Sequence, residues 1–549
     1  MAERRTLAAG GGHSRFRAAY FVVAMLLVLG RALPVLSNFP GRDQGTYLTI
    51  GRSLLQGRVL YRDLWENKPP GIFYIYGLIG KAFGTRLWCV AAVDLALLLV
   101  VSWCIFHFAE RYLGPAGAAV AVIVHGVWHV EAGYIFTAQP EFFQLPLIFG
   151  AYFSVAGASL RGQSRLRARH LAAGMLLGTA FWLKYNAVVF LPWLLVPYLD
   201  GRALNDHPSR LGLTVGLGDL LERMAWIILG FGSLVLGVIA YFGLEGALPA
   251  LREVQFQVLP RYAAMAVEAR PLPLGQWIAV RSEICLGAAT LVATAVALVV
   301  ARWRRDLART APLFTGAAAA YAATAIQMRF HGYYFATCYP FFALIWAYLA
   351  LTLWELCRGA AHACACRYWR LGQVLVWLLF ASILCWPVLA DSGRTQVDYE
   401  NLREWRSDPE NFYRHHHWMY LEHIDGQLQV IHYLKANAAP ADQIFLWGGH
   451  TLICYLAERP CVTRFVSNLG LMSLWAPQAW RDEAARQLRV QHPTWIVVAR
   501  ADALPSITFL TLSSDRYLAK RYPDLATLVR EEYTPVADFS TFVVYRHIR

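Results

Sequence analysis

RGQSRLRARHLAAGMLLGTAFWLKYNAVVFLPWLLVPYL, residues 161–199, decides the fold. Its first ten residues are strongly basic. The remaining 29 are apolar, which is long for one bilayer crossing of about 20 residues. Lys184 and Tyr185 lie near the middle of the apolar part, and Pro192 and Pro197 follow. The stretch is therefore either one tilted helix or two short ones. Cytoplasmic loops carry an excess of Lys and Arg, and this arbitrates. The N-terminus, RGQSRLRARH (161–170), RWRRDLAR (302–309) and CRGAAHACACRYWR (357–370) are all basic. Only a hairpin at 171–199 puts all four on the same side.

Outward from that hairpin, apolar runs predict spans at 18–37, 87–108, 113–130, 140–160, 224–243, 284–301, 311–327, 334–354 and 371–390. The expectation is a polytopic α-helical membrane protein of about eleven spans. The first span reads as uncleaved, because Arg31 interrupts it and no small-residue cleavage site follows at the right distance. Segment 70–84 reaches only about 21 Å as a helix and reads as interfacial or re-entrant. Composition agrees: 57% of the 549 residues are hydrophobic and only 16% charged, too apolar for a soluble globule or a disordered chain. The net charge of +14 sits in the membrane part. Residues 1–390 hold 33 Lys/Arg against 18 Asp/Glu, and 391–549 hold 17 against 18. That distribution reads as topology, and no nucleic-acid partner is expected.

Residues 391–549 are expected outside the membrane as a soluble α/β domain, following a transmembrane domain at 1–390. Helical periodicity runs over 421–437. QIFLW (443–447), TWIVVA (494–499) and TFVVY (541–545) read as buried strands, with ARQLRV and DLATLVREE as helices between them.

The first outer loop, 38–84, carries the informative polar residues: Asp43, Gly45 and Tyr47, then Tyr61, Asp63, Glu66 and Lys68-Pro69-Pro70-Gly71. Composition alone would make this a solvated surface loop. The order D-x-G-x-Y, then G-x-x-x-Y-R-D, then K-P-P-G resembles the C-superfamily of integral-membrane glycosyltransferases. The likeness is to the bacterial branch related to protein O-mannosyltransferases and the lipid A aminoarabinose transferase. FTAQPEFFQLPLIFGAYF (136–153), GMLLGTAFWLKYNAVVFLPWLL (174–195), MRFHGYYFATCYPFFALIWAYL (328–349) and LWGGHTLICYLAERPCVTRF (446–465) are similar to family segments in the same order.

The resemblance implies transfer of a sugar from a polyprenyl-phosphate carrier to an extracytoplasmic acceptor, whether an envelope glycolipid, lipopolysaccharide or protein. It implies Asp43 as the base that takes the acceptor's proton, with Glu141 and Glu66 as further acidic candidates. The leaving group is a lipid phosphate, which fixed cations and a phenol would hold: Lys68, Arg261, Arg329, His331 and Tyr334. Tyr47, Asp63 and Lys184 complete the set as substrate contacts, although the plainer role of Asp63 is to shape the loop. The plain readings of the others are headgroup contact for Arg329 and His331, helix N-terminal placement for Glu141, and snorkelling for Lys184. The topology puts Asp43, Lys68, Glu141, Lys184, Arg261, Arg329 and His331 all on the outer side. The competing class is a polyprenyl-lipid transporter or flippase, for which no repeated interrupted helices are evident.

No cofactor and no metal are expected. Cys357, His362, Cys364 and Cys366 lack paired zinc-ligand spacing, and His415-His416-His417 reads as a solvated helix face. Cys454 and Cys461 could pair in an oxidising compartment. The expected location is a bacterial inner membrane.

Overall fold

A computed structural model describes residues 10–157, 163–198, 216–268, 273–364, 392–416, 423–500, 502–508 and 510–548. The predicted span 371–390, Cys366 and His417 lie outside them. The chain begins with helices α1 (Gly10–Ala32), α2 (Arg42–Leu55), α3 (Gly71–Phe83), α4 (Trp88–Glu131), α5 (Pro140–Ala156), α6 (Gln163–Leu183) and α7 (Leu217–Leu244). It divides into two compact units.

The first unit comprises residues 1–36, 92–236 and 267–402. As one straight helix α4 would run about 66 Å, twice the hydrocarbon thickness of a bilayer. It is instead broken at Gly114 (φ 72°, ψ 175°) just before Pro115, which divides it between the predicted spans 87–108 and 113–130. Glycine alone adopts that backbone without strain. The 161–199 stretch breaks as well. Helix α6 ends at Leu183, Lys184 is extended, and 3₁₀ turns follow at Tyr185–Phe190 and Pro192–Tyr198. Gly174 of α6 and Gly230 of α7 let the two backbones touch. A Cβ on either would collide with the other helix's carbonyl oxygen, of Ile227 or Leu171. Helix α7 turns Leu217, Leu221, Ile228, Leu229 and Leu236 outward, as a lipid-facing surface does. Trp193 sits at the core, 4.3 Å from the Tyr152 ring and 5.3 Å from that of Phe341, and donates to the Pro312 carbonyl.

Four helical stretches among the described residues are long and apolar enough to cross a membrane: Phe16–Ser37, Trp88–Glu131, Leu217–Leu244 and Tyr339–Leu356. The other predicted spans within the described residues fall on shorter, broken or less apolar helices, such as α5 with 17 residues and Ala288–Trp303 with 16.

The second unit gathers residues 37–91, 237–266 and 403–549, so its packing cuts across a chain boundary at 390. Its sheet has strand order β1-β2-β4-β3: β1 (Ile444–Trp447), β2 (Trp495–Ala499), β4 (Phe542–His547) and β3 (Tyr533–Asp538). β1 and β2 are parallel, and the other pairs antiparallel. Three strands and the helix Ile424–Asn437 lie where hydrophobic patterning put them. β3 was not predicted. It is an edge strand with a register shift between Pro535 and Ala537, and only Tyr533 is buried, so no alternation marks it.

The first loop forms α2 and α3, which cross at Gly51 and Gly77. On α2, Gly45 meets Leu452, Thr49 donates to the Thr451 carbonyl at 2.9 Å, and Arg52 lies 3.9 Å over the Tyr455 ring. Trp65 donates its backbone N–H to Arg464 at 2.7 Å and is buried among Phe465, Trp475 and Trp480. The tail segment LWGGHTLICYLAERPCVTRF therefore seats directly on the first loop.

Candidate active site

In the second unit, Gly41 is extended and α2 starts at Arg42, placing Asp43 in the first turn. A carboxylate there is favoured by the partial positive charge of the helix end. Lys68 Nζ lies 3.1 Å from Asp43 Oδ1. One helical turn beyond Asp43, Tyr47 is fully buried against Phe73 and Tyr76, and its ring lies 4.9 Å below the Lys68 ammonium. Tyr61, held at φ 69°, donates its hydroxyl to the Lys68 carbonyl at 2.8 Å. The backbone conformation at Tyr61 and the two prolines after Lys68 restrain the Lys68 backbone.

Glu66 is buried beside this pair and accepts the Asn67 N–H at 2.9 Å. Burial pushes its carboxyl above the usual carboxylate range, with Lys68 acting in the opposite direction. Asp63 behaves differently. The Arg62 guanidinium holds its carboxyl below the usual range, and the same side chain accepts the Val59 N–H at 2.8 Å. Asp63 thus ties the loop together, as its plainer reading had it. Arg261 stands exposed near the start of the helix Leu259–Glu268. Among the described residues it makes no ion pair with Asp43 and is not brought into the Asp43–Lys68 contact.

In the first unit, the extended Gln139 and Pro140 open α5, and Glu141 follows with no solvent exposure. Its Oε1 pairs with the Lys184 ammonium, which the break after α6 delivers. Lys184 Nζ also lies 3.4 Å above the Tyr334 ring, and the His331 ring is 5.3 Å from that of Tyr334. Met328 and Phe330 flank Arg329 at φ 56° and 47°, and Arg329 is buried. The structure thus joins Glu141, Lys184, Tyr334 and His331 into one cluster.

A neighbouring pair escaped the sequence reading. Asp94 accepts from His129 Nε2 at 2.8 Å and from the Ala138 N–H at 2.7 Å, all three residues being buried. Ala138 is held at φ 50°, so Asp94 fixes the strained turn that leads into Glu141. The signal was present as an acidic residue within an apolar span.

Residues 67–217 match the family described as dolichyl-phosphate-mannose-protein mannosyltransferase, a segment that contains Lys68, Glu141 and Lys184 and begins beyond Asp43. No curated protein matches the chain in sequence. Among solved structures, ArnT from Cupriavidus metallidurans bound to undecaprenyl phosphate is 13% identical, with a TM-score of 0.50 over 97% of this chain and 98% of that one. The archaeal oligosaccharyltransferase AglB from Archaeoglobus fulgidus, in complex with an inhibitory peptide and a dolichol-phosphate, is also 13% identical. Its TM-score is 0.48 over 98% of this chain and 74% of that one. Residues 67–217 thus resemble that mannosyltransferase family, and the chain as a whole shares its fold with ArnT.

Proposed function

We propose that the protein moves a sugar from a polyprenyl-phosphate carrier to an extracytoplasmic acceptor, with Asp43 as general base and Lys68 holding the lipid phosphate. The observation that carries this reading is the contact between Asp43 and Lys68 at 3.1 Å over the buried ring of Tyr47. Glycosyl transfer needs a carboxylate for the acceptor's proton and a cation for the charge that builds on the departing phosphate. A phosphate arriving at Lys68 competes with Asp43 for the ammonium and leaves the carboxylate open to an acceptor hydroxyl. Glu66, pushed toward its neutral form beside them, can donate a hydrogen bond that an ionised carboxylate could not. The acceptor is an envelope glycolipid, lipopolysaccharide or protein.

The test is reconstitution with a radiolabelled polyprenyl-phosphate sugar and a crude envelope fraction as acceptor. Label on an acceptor, with free polyprenyl phosphate released, is the expected result. Label that changes leaflet on intact lipid would make the protein a flippase. The proposed location is a bacterial inner membrane with the second unit's tail outside. An alkaline phosphatase fused after Arg549 should then be active, and activity only of a cytoplasmic reporter there would reverse the topology.

A further inference from the structure

His492, Glu532 and His547 lie far apart in sequence, and the second unit brings them together. Three separate elements deliver them. His492 caps the helix Gln478–Gln491 in a left-handed conformation (φ 41°, ψ 64°). Glu532 ends the helix Pro523–Glu532, and His547 ends β4. The framework beneath is tied by backbone hydrogen bonds. Ile548 donates to the Glu532 carbonyl at 2.8 Å and His547 to the Thr494 carbonyl at 3.1 Å. Tyr533 is the register partner of His547, with its ring 5.1 Å away at 72°.

One ligand atom from each residue lies within 4.8 Å of the other two. His492 Nδ1 is 3.3 Å from Glu532 Oε2. That separation matches the edge of a tetrahedron with metal–ligand bonds of about 2.0–2.1 Å, which is about 3.3 Å. The Glu532 Oε2 atom is itself buried and makes no hydrogen bond, although the carboxylate as a whole is partly exposed. Its ionisable neighbour is the His492 ring at 3.3 Å, with which it makes no hydrogen bond, and a cation between the two would satisfy both. Two imidazoles and one carboxylate are a ligand set suited to zinc and poorly suited to Mg²⁺, which favours oxygen ligands in an octahedron.

We infer that His492, Glu532 and His547 form a zinc site, with water in the fourth position, that clasps the end of β4 to the two helix ends. The site stands apart from Asp43 and Lys68 in sequence and chemistry, and does not depend on the proposed transfer reaction. The sequence reading, which expected no metal, did not single out these three residues, and none of them lies near another.

The experiment uses the full chain, purified in detergent with any affinity tag removed, stripped with chelator and dialysed against micromolar ZnCl₂. Retained zinc is measured by mass spectrometry. Wild type is expected to hold about one more zinc per chain than Glu532→Gln, which keeps the shape of the side chain. His492→Asn should lose the ion equally, and asparagine tolerates the left-handed backbone there. His415→Ala with His416→Ala should retain it, and a tenfold excess of Mg²⁺ should not displace it. Failure of wild type to retain zinc, or equal retention by wild type and the Glu532 and His492 variants, would overturn the site.

Discussion

Two lysine–carboxylate pairs, one in each unit, make the same contact and differ chiefly in how far the carboxylate is buried. In Asp43–Lys68 the side chains are 33% and 19% exposed. In Glu141–Lys184 they are 0% and 14% exposed. A pair within reach of water can exchange partners cheaply, which a site that binds and releases an anion requires. A pair removed from water holds its members together, because separating them leaves a charge with nothing to solvate it. On the proposed function the first pair would open during turnover, while the second holds the start of α5 to the break after α6.

The largest expected effect breaks the buried pair. Lys184→Met leaves Glu141 buried opposite an apolar side chain and should cost about 3–5 kcal/mol of stability. Combining it with Glu141→Gln removes both charges and should recover most of that loss. Thermal unfolding in detergent reads both variants. Equal stability of the single variant and wild type would show that Glu141 is solvated or neutralised at no cost when unpaired, and the contrast between the two pairs would fall.

The less buried pair should answer in turnover and hardly in stability, since partly exposed ion pairs contribute about 0–1 kcal/mol. Lys68→Ala is expected to lower transfer by about 10²–10³-fold, the scale for removing one group that stabilises transition-state charge. Lys68→Arg should keep part of the activity, because the charge remains while its geometry changes. A melting temperature shifted as far as that of Lys184→Met would instead make Lys68 structural. Asp43→Asn should lower transfer by about a hundredfold with donor binding retained. Near-normal turnover would pass the role of base to Glu66 or Glu141.

This contrast was only half legible in the sequence. A break within 171–199 was, because only a hairpin there puts the four basic stretches on one side. The pairing of Lys184 with Glu141 was not, since 43 positions separate them and nothing local encodes the contact. The three buried strands were readable as dense apolar runs. β3 was not, because an edge strand with one buried residue carries no pattern. The seating of LWGGHTLICYLAERP on α2 depends on Gly45, Thr49 and Thr451, small or neutral residues whose partners lie about four hundred positions away. Asp94 was readable in principle but fell inside an otherwise apolar span.

The smallest effect concerns Glu66, and its sign is opposite to that of an ordinary paired carboxylate. Burial raises its carboxyl above the unfolded value, so in the intervening pH window the folded chain holds a proton that the unfolded chain has released. Stability from this group is complete below the ordinary carboxylate range and is lost as pH rises through the raised folded value. Glu66→Gln keeps the shape and the oxygen that accepts the Asn67 N–H, and it has no proton to lose. Its stability relative to wild type should therefore grow with pH, by at most about 1.4 kcal/mol per pH unit within the window. Chemical denaturation at pH 5, 6, 7 and 8 measures the gap. A gap that stays flat would mean Glu66 titrates as it does in the unfolded chain. A gap that shrinks as pH rises would mean that Lys68 outweighs burial and holds Glu66 charged, leaving Lys68 engaged by two carboxylates and less free to take a phosphate.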